Sequence, residues 1–166
     1  MKVALGILLT LMSIAASAQQ SAKVITLPAN SKAGEVRGTL RDGHRLSSLR
    51  WAEQSNVACF PGTRFEMFTG KHVFYRITLP AASAITITVT PANKAPVSLY
   101  ALRQGMNDQS VPPDIKSAIS CEASYPIYAN LGGGRTVANQ DDGTRKVEYI
   151  SIRSPYSILI GTLHRP

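Results

Sequence analysis

Residues 68–91 read FTGKHVFYRITLPAASAITITVTP, and this stretch decides the fold class. In its first half Val73, Tyr75, Ile77 and Leu79 alternate with His72, Phe74, Arg76 and Thr78, the period of two expected of a strand with one buried face. The spacing assigns burial to the Val73 face and leaves His72 and Arg76 on the surface. In the second half Ile85, Ile87 and Val89 alternate with Thr86, Thr88 and Thr90, a β-branched run that suits a pleated, half-buried surface. Two strands joined by a short Pro80-Ala-Ala connection are therefore expected.

Further strands follow the same pattern downstream. PVSLYAL (96–102) alternates Val97, Leu99 and Ala101 with Ser98, Tyr100 and Leu102. Residues 104–117 are polar and rich in Gly, Asn, Asp and Pro, a long connection of the kind that crosses between sheets or carries function. Ile119, Cys121, Ala123 and Tyr125 resume the alternation, Lys146 to Ile152 forms another strand, and YSILIGTL (156–163) is apolar on both faces, as an interior strand is. Upstream, Val24 to Leu27 and Glu35 to Leu40 read as short strands, the second ended by the turn dipeptide Asp42-Gly43. With almost no helical periodicity, the expectation is all-β: a single antiparallel β-sandwich, jelly-roll or Ig-like, of about 7–9 strands.

Residues 1–18 stand apart from this fold. Lys2, an apolar run over 3–14 and the small-residue site Ala16-Ser17-Ala18 have the three parts of a secretory signal peptide, and the run is shorter than the roughly 20 residues a spanning helix needs. The expected organisation is a signal-peptide helix over 1–18, an N-terminal segment over 19–33 and the β-sandwich domain over 34–166. Export to the periplasm or the cell exterior follows, with no transmembrane segment after cleavage. The remaining 148 residues carry 17 basic and 10 acidic side chains, a net charge of +7. That is the size of one domain, and its charge favours anionic partners. Cys59 and Cys121 would meet an oxidising compartment and are expected to be bonded to each other. The closed loop of about sixty residues would contribute roughly 4 kcal/mol in the chain-entropy model.

Candidate chemistry is sparse. Arg37, Arg41, Arg45 and Arg50, with His44 among them, form a basic run leading to Trp51, the only tryptophan. Arginines on one face beside a flat indole would suit an anionic glycan, and these five residues, Arg37, Arg41, Arg45, Arg50 and Trp51, are the candidate anion-binding or glycan-binding set. The plainer readings are a solvated surface, because Asp42-Gly43 interrupts the spacing, and a core position for Trp51. Asn139 to Gly143 clusters Asp141 and Asp142, but it does not match a calcium loop, so no cofactor or metal is expected. Leu131-Gly-Gly-Gly-Arg135 lacks the phosphate-loop spacing. No GxSxG, HExxH or CxxC motif is present, and His72 is expected to be an ordinary surface histidine. Tyr125, Tyr128 and Arg135 could line a groove among the loops.

The order of pieces, Gly70 then His72-Val-Phe-Tyr75, a proline turn, the Ile/Thr strand, VSLYAL and finally PYSILIGTL, resembles the bacterial pre-peptidase C-terminal domain. The resemblance spans about residues 34–163. It implies a secreted β-sandwich module whose relatives sit beside secreted peptidases and aid secretion, substrate attachment or adhesion. No peptidase pattern accompanies the module in these 166 residues, so a free-standing or partner-directed role is expected. Three functions remain in view: a non-catalytic module for an anionic glycan or cell-surface polymer; an envelope protein-interaction or structural subunit, acting with a separately encoded peptidase; and a hydrolase with an unrecognised site. Specific nucleic-acid binding is not expected.

Overall fold

The computed structural model describes residues 24–27, 33–46, 48–52, 68–93, 95–115, 120–122 and 143–164. Residues 1–18, Cys59, Tyr125, Tyr128, Arg135, Asp141 and Asp142 fall outside this set, and of Cys121 only the strand backbone is described. The expectations placed on the signal peptide, the disulfide, the loop groove and the calcium turn therefore lie outside the described residues.

The described chain is all-β, with strands β1 (Val24–Thr26), β2 (His44–Arg45), β3 (Lys71–Leu79), β4 (Ser83–Val89), β5 (Val97–Gln104), β6 (Ser120–Glu122), β7 (Arg145–Ser151) and β8 (Tyr156–His164) and two 3-10 turns, Leu40–Asp42 and Arg50–Ala52. The first sheet runs β1-β3-β8-β5-β6, with β2 also on β3; the second pairs β4 with β7. β8 is central, antiparallel to β3 along its whole length and to β5 from Ser157 to His164. Its run of apolar residues on both faces is what that position requires. β1 departs from the antiparallel expectation by pairing parallel to β3, with Val24 opposite Phe74.

Residues 34–39 form no strand. All six are exposed, so Glu35 to Leu40 lacks the buried face that would stabilise one. Instead the Thr39 hydroxyl accepts the Arg41 N–H at 3.2 Å and starts the turn.

Both faces of the first sheet are buried: the Tyr75, Ile77 and Leu79 face of β3 lies in the core as expected, and its opposite face, expected at the surface, is buried as well. One face places Leu79, Tyr75 and Ile77 with Leu99, Ala101, Tyr156, Ile158 and Ile160 against Ile85, Ile87, Val89, Val147 and Tyr149 of the second sheet. The opposite face gathers Phe74, Tyr100, Leu102, Leu159 and Leu163 beneath Leu49, Trp51, Phe68 and Ile115 from turns and loops. His72 and Arg76, expected at the surface, lie under this second cover at 1% and 7% exposure. Alternation of polar and apolar residues misassigned them because most of their polar atoms find partners on other strands and loops rather than in water: His72 Nδ1 on Tyr100, and the Arg76 terminal nitrogens on Gln104, Gln109 and Ser110.

Two buried cations brace the arrangement. Arg145 donates from Nε to the Val97 carbonyl at 2.9 Å, linking the second sheet to the first, and to the Thr144 carbonyl at 2.7 Å. Arg76 donates to the Gln109 Oε1 at 2.6 Å, the Gln104 Oε1 at 3.1 Å and the Ser110 carbonyl at 3.2 Å. The connection after β5 is thereby held down, with Pro112 and Ile115 buried over the core while residues 105–109 stay exposed.

Gly161 sits between Phe74 on β3 and Tyr100 on β5, and the Tyr100 ring lies over it. A Cβ on Gly161 would meet the Tyr100 ring at 2.2 Å, well inside contact distance. Gly161→Ala is expected to lower unfolding free energy by about 3 kcal/mol, the upper end for overpacking. Thermal or denaturant unfolding checks this. Combining it with Tyr100→Leu should cost less than the sum of the two single changes, because the shared clash is removed.

Candidate functional site

The basic run is organised by backbone contacts rather than by side-chain spacing. After the turn at Leu40–Asp42, the Gly43 N–H donates to the Leu40 carbonyl at 3.2 Å, and the chain presses flat on β3. A Cβ at Gly43 would sit 3.0 Å from the His72 carbonyl oxygen, so glycine permits the approach. The next two residues pair with β3, His44 opposite His72 and Arg45 opposite Lys71. Lys71 Nζ in turn donates to the Arg41 carbonyl at 2.7 Å. The turn that seemed to break the spacing is thus the device that gathers Arg41, Arg45 and Lys71 at one sheet edge, all three exposed. Lys71 was not in the candidate set: its place depends on a pairing register that no periodicity reveals.

The other candidates separate from this group. Arg37 donates from Nε to Glu35 Oε1 at 2.8 Å in an exposed ion pair, which partly neutralises it and adds little stability. Arg50 is exposed on the second turn, its N–H donating to the Ser48 hydroxyl at 3.1 Å. Trp51 is 8% exposed and packs on Tyr100 with ring centroids 5.4 Å apart. It is a core residue and offers no stacking platform, which corrects the glycan-binding assignment for that side chain.

Arg45 also lines an open cleft of about 300 Å³ with Leu46, Ser48, Leu49, Phe68, Thr69 and Gly70. The carboxylate nearest in sequence is Asp42, exposed on the turn itself. Cations placed directly opposite across a strand pair repel, so Arg45 and Lys71 form an arrangement that an anion would relieve. Among the described residues no group of three or more His, Cys, Asp or Glu is arranged to hold a metal, and no helix is long and apolar enough to cross a membrane.

Directly beneath the edge lies a buried aromatic group. His72 Nδ1 shares a 2.9 Å hydrogen bond with the Tyr100 hydroxyl, and the imidazole stacks on Phe74 at 6.0 Å. Phe68 meets the Tyr100 ring edge-on at 6.0 Å. Burial drives the His72 pKa from 6.5 down to about 4, the nearby charge of His44 adding to the effect and the Phe68 carbonyl opposing it. Burial likewise pushes the Tyr100 hydroxyl well above its ordinary range. His72 is sealed from substrate, and its partners are aromatic groups and a carbonyl, not a carboxylate. Comparison with known proteins adds no assignment: no protein-family model, curated protein or solved structure matches the chain.

The His72 environment has a consequence for acid stability. The unfolded chain takes up this proton near pH 6.5, whereas the folded chain resists it until about pH 4. Stability present above 6.5 is therefore lost as pH falls toward 4, by about 3 kcal/mol for this one group. Denaturant unfolding at pH 7, 5.5 and 4 should show this fall. His72→Gln should flatten it, even though the variant is less stable at neutral pH.

Proposed function

We propose that the chain is an exported, non-catalytic β-sandwich module that binds an anionic glycan or cell-surface polymer along the edge formed by Arg41, Arg45 and Lys71. The observation that carries this reading is the placement of Arg45 directly opposite Lys71, with the Lys71 ammonium drawn onto the Arg41 turn. Three exposed cations at one edge raise the local concentration of an extended polyanion, and the cleft beside Arg45 gives a residue of that polymer somewhere to sit. The charge of +7 carried by residues 19–166 works in the same direction. The sandwich reading rests on the apolar cluster shared by the two sheets. It agrees with the architecture that resemblance to the pre-peptidase C-terminal domain implies, and with a role in attachment rather than chemistry.

A second reading, an envelope interaction subunit, is favoured by Ile150 and Ile152, which stand 69% and 77% exposed on and just beyond β7.

Retention on immobilised heparin or an acidic polysaccharide, measured against salt, tests the first reading. The protein should elute earlier as salt screens the contacts, and Arg41→Gln with Arg45→Gln should weaken binding about tenfold at low salt. The matched control, Arg103→Gln with Arg153→Gln, removes the same charge elsewhere and should have a much smaller effect. Equal losses from both pairs would reduce the binding to net charge alone. Absence of retention by the unaltered protein would reject the proposal and leave the subunit reading.

A further inference from the structure

The second sheet has two described strands, and the outer edge of β4 meets no other described strand. Such an edge presents a row of free N–H and C=O groups, which folded proteins usually blunt with charge, proline, a bulge or a covering element. β4 has no such device within its own length. Ser83–Val89 reads SAITITV, without charge or proline, and it pairs with β7 residue for residue, without a bulge. A second observation points the same way. Ile85, Ile87 and Val89 face the apolar cluster between the sheets yet stay only partly buried, while Val147 and Tyr149 on the same face of β7 are 6% exposed. Among the described residues the β4 side chains have no neighbouring strand on their outer flank.

We propose that β4 pairs antiparallel with β4 of a second copy of this chain, about a two-fold axis at Thr86, so that the two-stranded sheets of both copies merge into one. This inference stands apart from the anion-binding reading. The strand is self-complementary about its centre. Ile85 falls opposite Ile87, Ser83 opposite Val89 and Ala84 opposite Thr88, so the aliphatic side chains of both copies stay on the core side and Ala and Thr stay outside. A slip of one residue would set the core face of one copy against the solvent face of the other. Longer slips shorten the ladder, and Pro80 and Pro91 prevent its extension at either end.

The self-complementary register argues for a second copy, and charge selects this edge as the place where it can approach. Two strongly cationic chains, +7 each over residues 19–166, repel over most approaches. β2, β3, β5, β6 and β7 all carry ionised side chains, β8 is interior, and β1 has three residues. β4 is the long described edge where like-charged copies can meet without opposing charges. A seven-residue ladder is small beside the roughly 800 Å² per partner of a standard interface, so the association is weak and concentration-dependent.

Sedimentation velocity across the micromolar range tests this, using the chain expressed from Met1 and purified as the cell processes it. A monomer–dimer equilibrium is expected. Thr86→Lys and Thr86→Glu alter an exposed position, so the fold should survive, but each sets like charges against each other at the two-fold axis. Each alone should raise the midpoint concentration by roughly fivefold or more. Mixing the two variants should restore association through opposite charges. A protein monomeric throughout the range, or a dimer indifferent to both changes, would overturn the proposal, as would a mixture that associates no better than its components.

Discussion

The missing side chain at Gly161 is the constraint on which the covered face of the first sheet depends. Because the central strand carries no Cβ there, the Tyr100 ring folds across it from β5, with Phe74 on the other side, filling with aromatic surface what would otherwise be a hole in the sheet. Lying in that position, Tyr100 carries its hydroxyl to His72 on the far strand β3. The bond crosses β8 without touching it and ties the flanking strands to one register. Trp51 and Phe68 then pack on the same ring, which fastens the Arg50–Ala52 turn and the approach to β3 onto the sheet. Alternative side chains at 161 would displace the ring and with it the hydroxyl, the imidazole partner and the cover.

Burial on both faces explains why polar residues lie so deep. A sheet with one wet face would leave His72, Arg76, Ser98 and Gln104 in solvent; here each is at or below 7% exposure and needs partners within the protein. Arg76 resolves this with the side chains of Gln104 and Gln109 and the Ser110 carbonyl. Burial opposes its charge and Asp108 supports it. Asp108 is itself held below its usual range, chiefly by the Ser110 backbone N–H, which donates to its carboxylate at 2.9 Å. The polar connection after β5 thus has its composition because it must supply acceptors to a buried guanidinium. A polar, proline-rich loop is ambiguous in sequence between a working surface and a polar lid, and what distinguishes them is the cation beneath, thirty residues away.

Much of the strand framework was legible in advance for a simple reason. β4, β7 and β8 announce themselves through local periodicity: strict alternation where one face is wet, and continuous apolar residues where neither is. What failed depended on partners distant in the chain. The core face of β3 was read correctly, but the burial of its opposite face was missed because the second cover, Leu49, Trp51, Phe68 and Ile115, comes from turns whose composition predicts no packing. Trp51 has the same appearance in sequence whether it stacks on a sugar or on Tyr100. The basic edge was half visible: Arg41 and Arg45 stood out, but a turn dipeptide between them argued for separation, and Lys71 belonged to a strand read only for its core.

That edge, the one proposed to bind an anion, is also where the sheet is least supported by its own pairing. β2 is two residues long, and its end pair sets Arg45 against Lys71. By itself such a ladder is marginal, and the like charges weaken it further. What opposes fraying is the close approach at Gly43, the Lys71 bond to the Arg41 carbonyl, and the buried His72 on which His44 rests. An anion held between the cations would turn the one repulsive contact in this set into an attractive one, and so favour the state in which β2 is paired. Binding to the paired form alone stabilises it by about 2.7 kcal/mol at a hundred times the dissociation constant, more than a surface ion pair contributes. Occupancy of the edge would then be felt at His72, which pairs with His44 of β2, and through the His72 hydrogen bond at Tyr100. Any response of this corner to a bound anion would follow from how little else holds β2 in place.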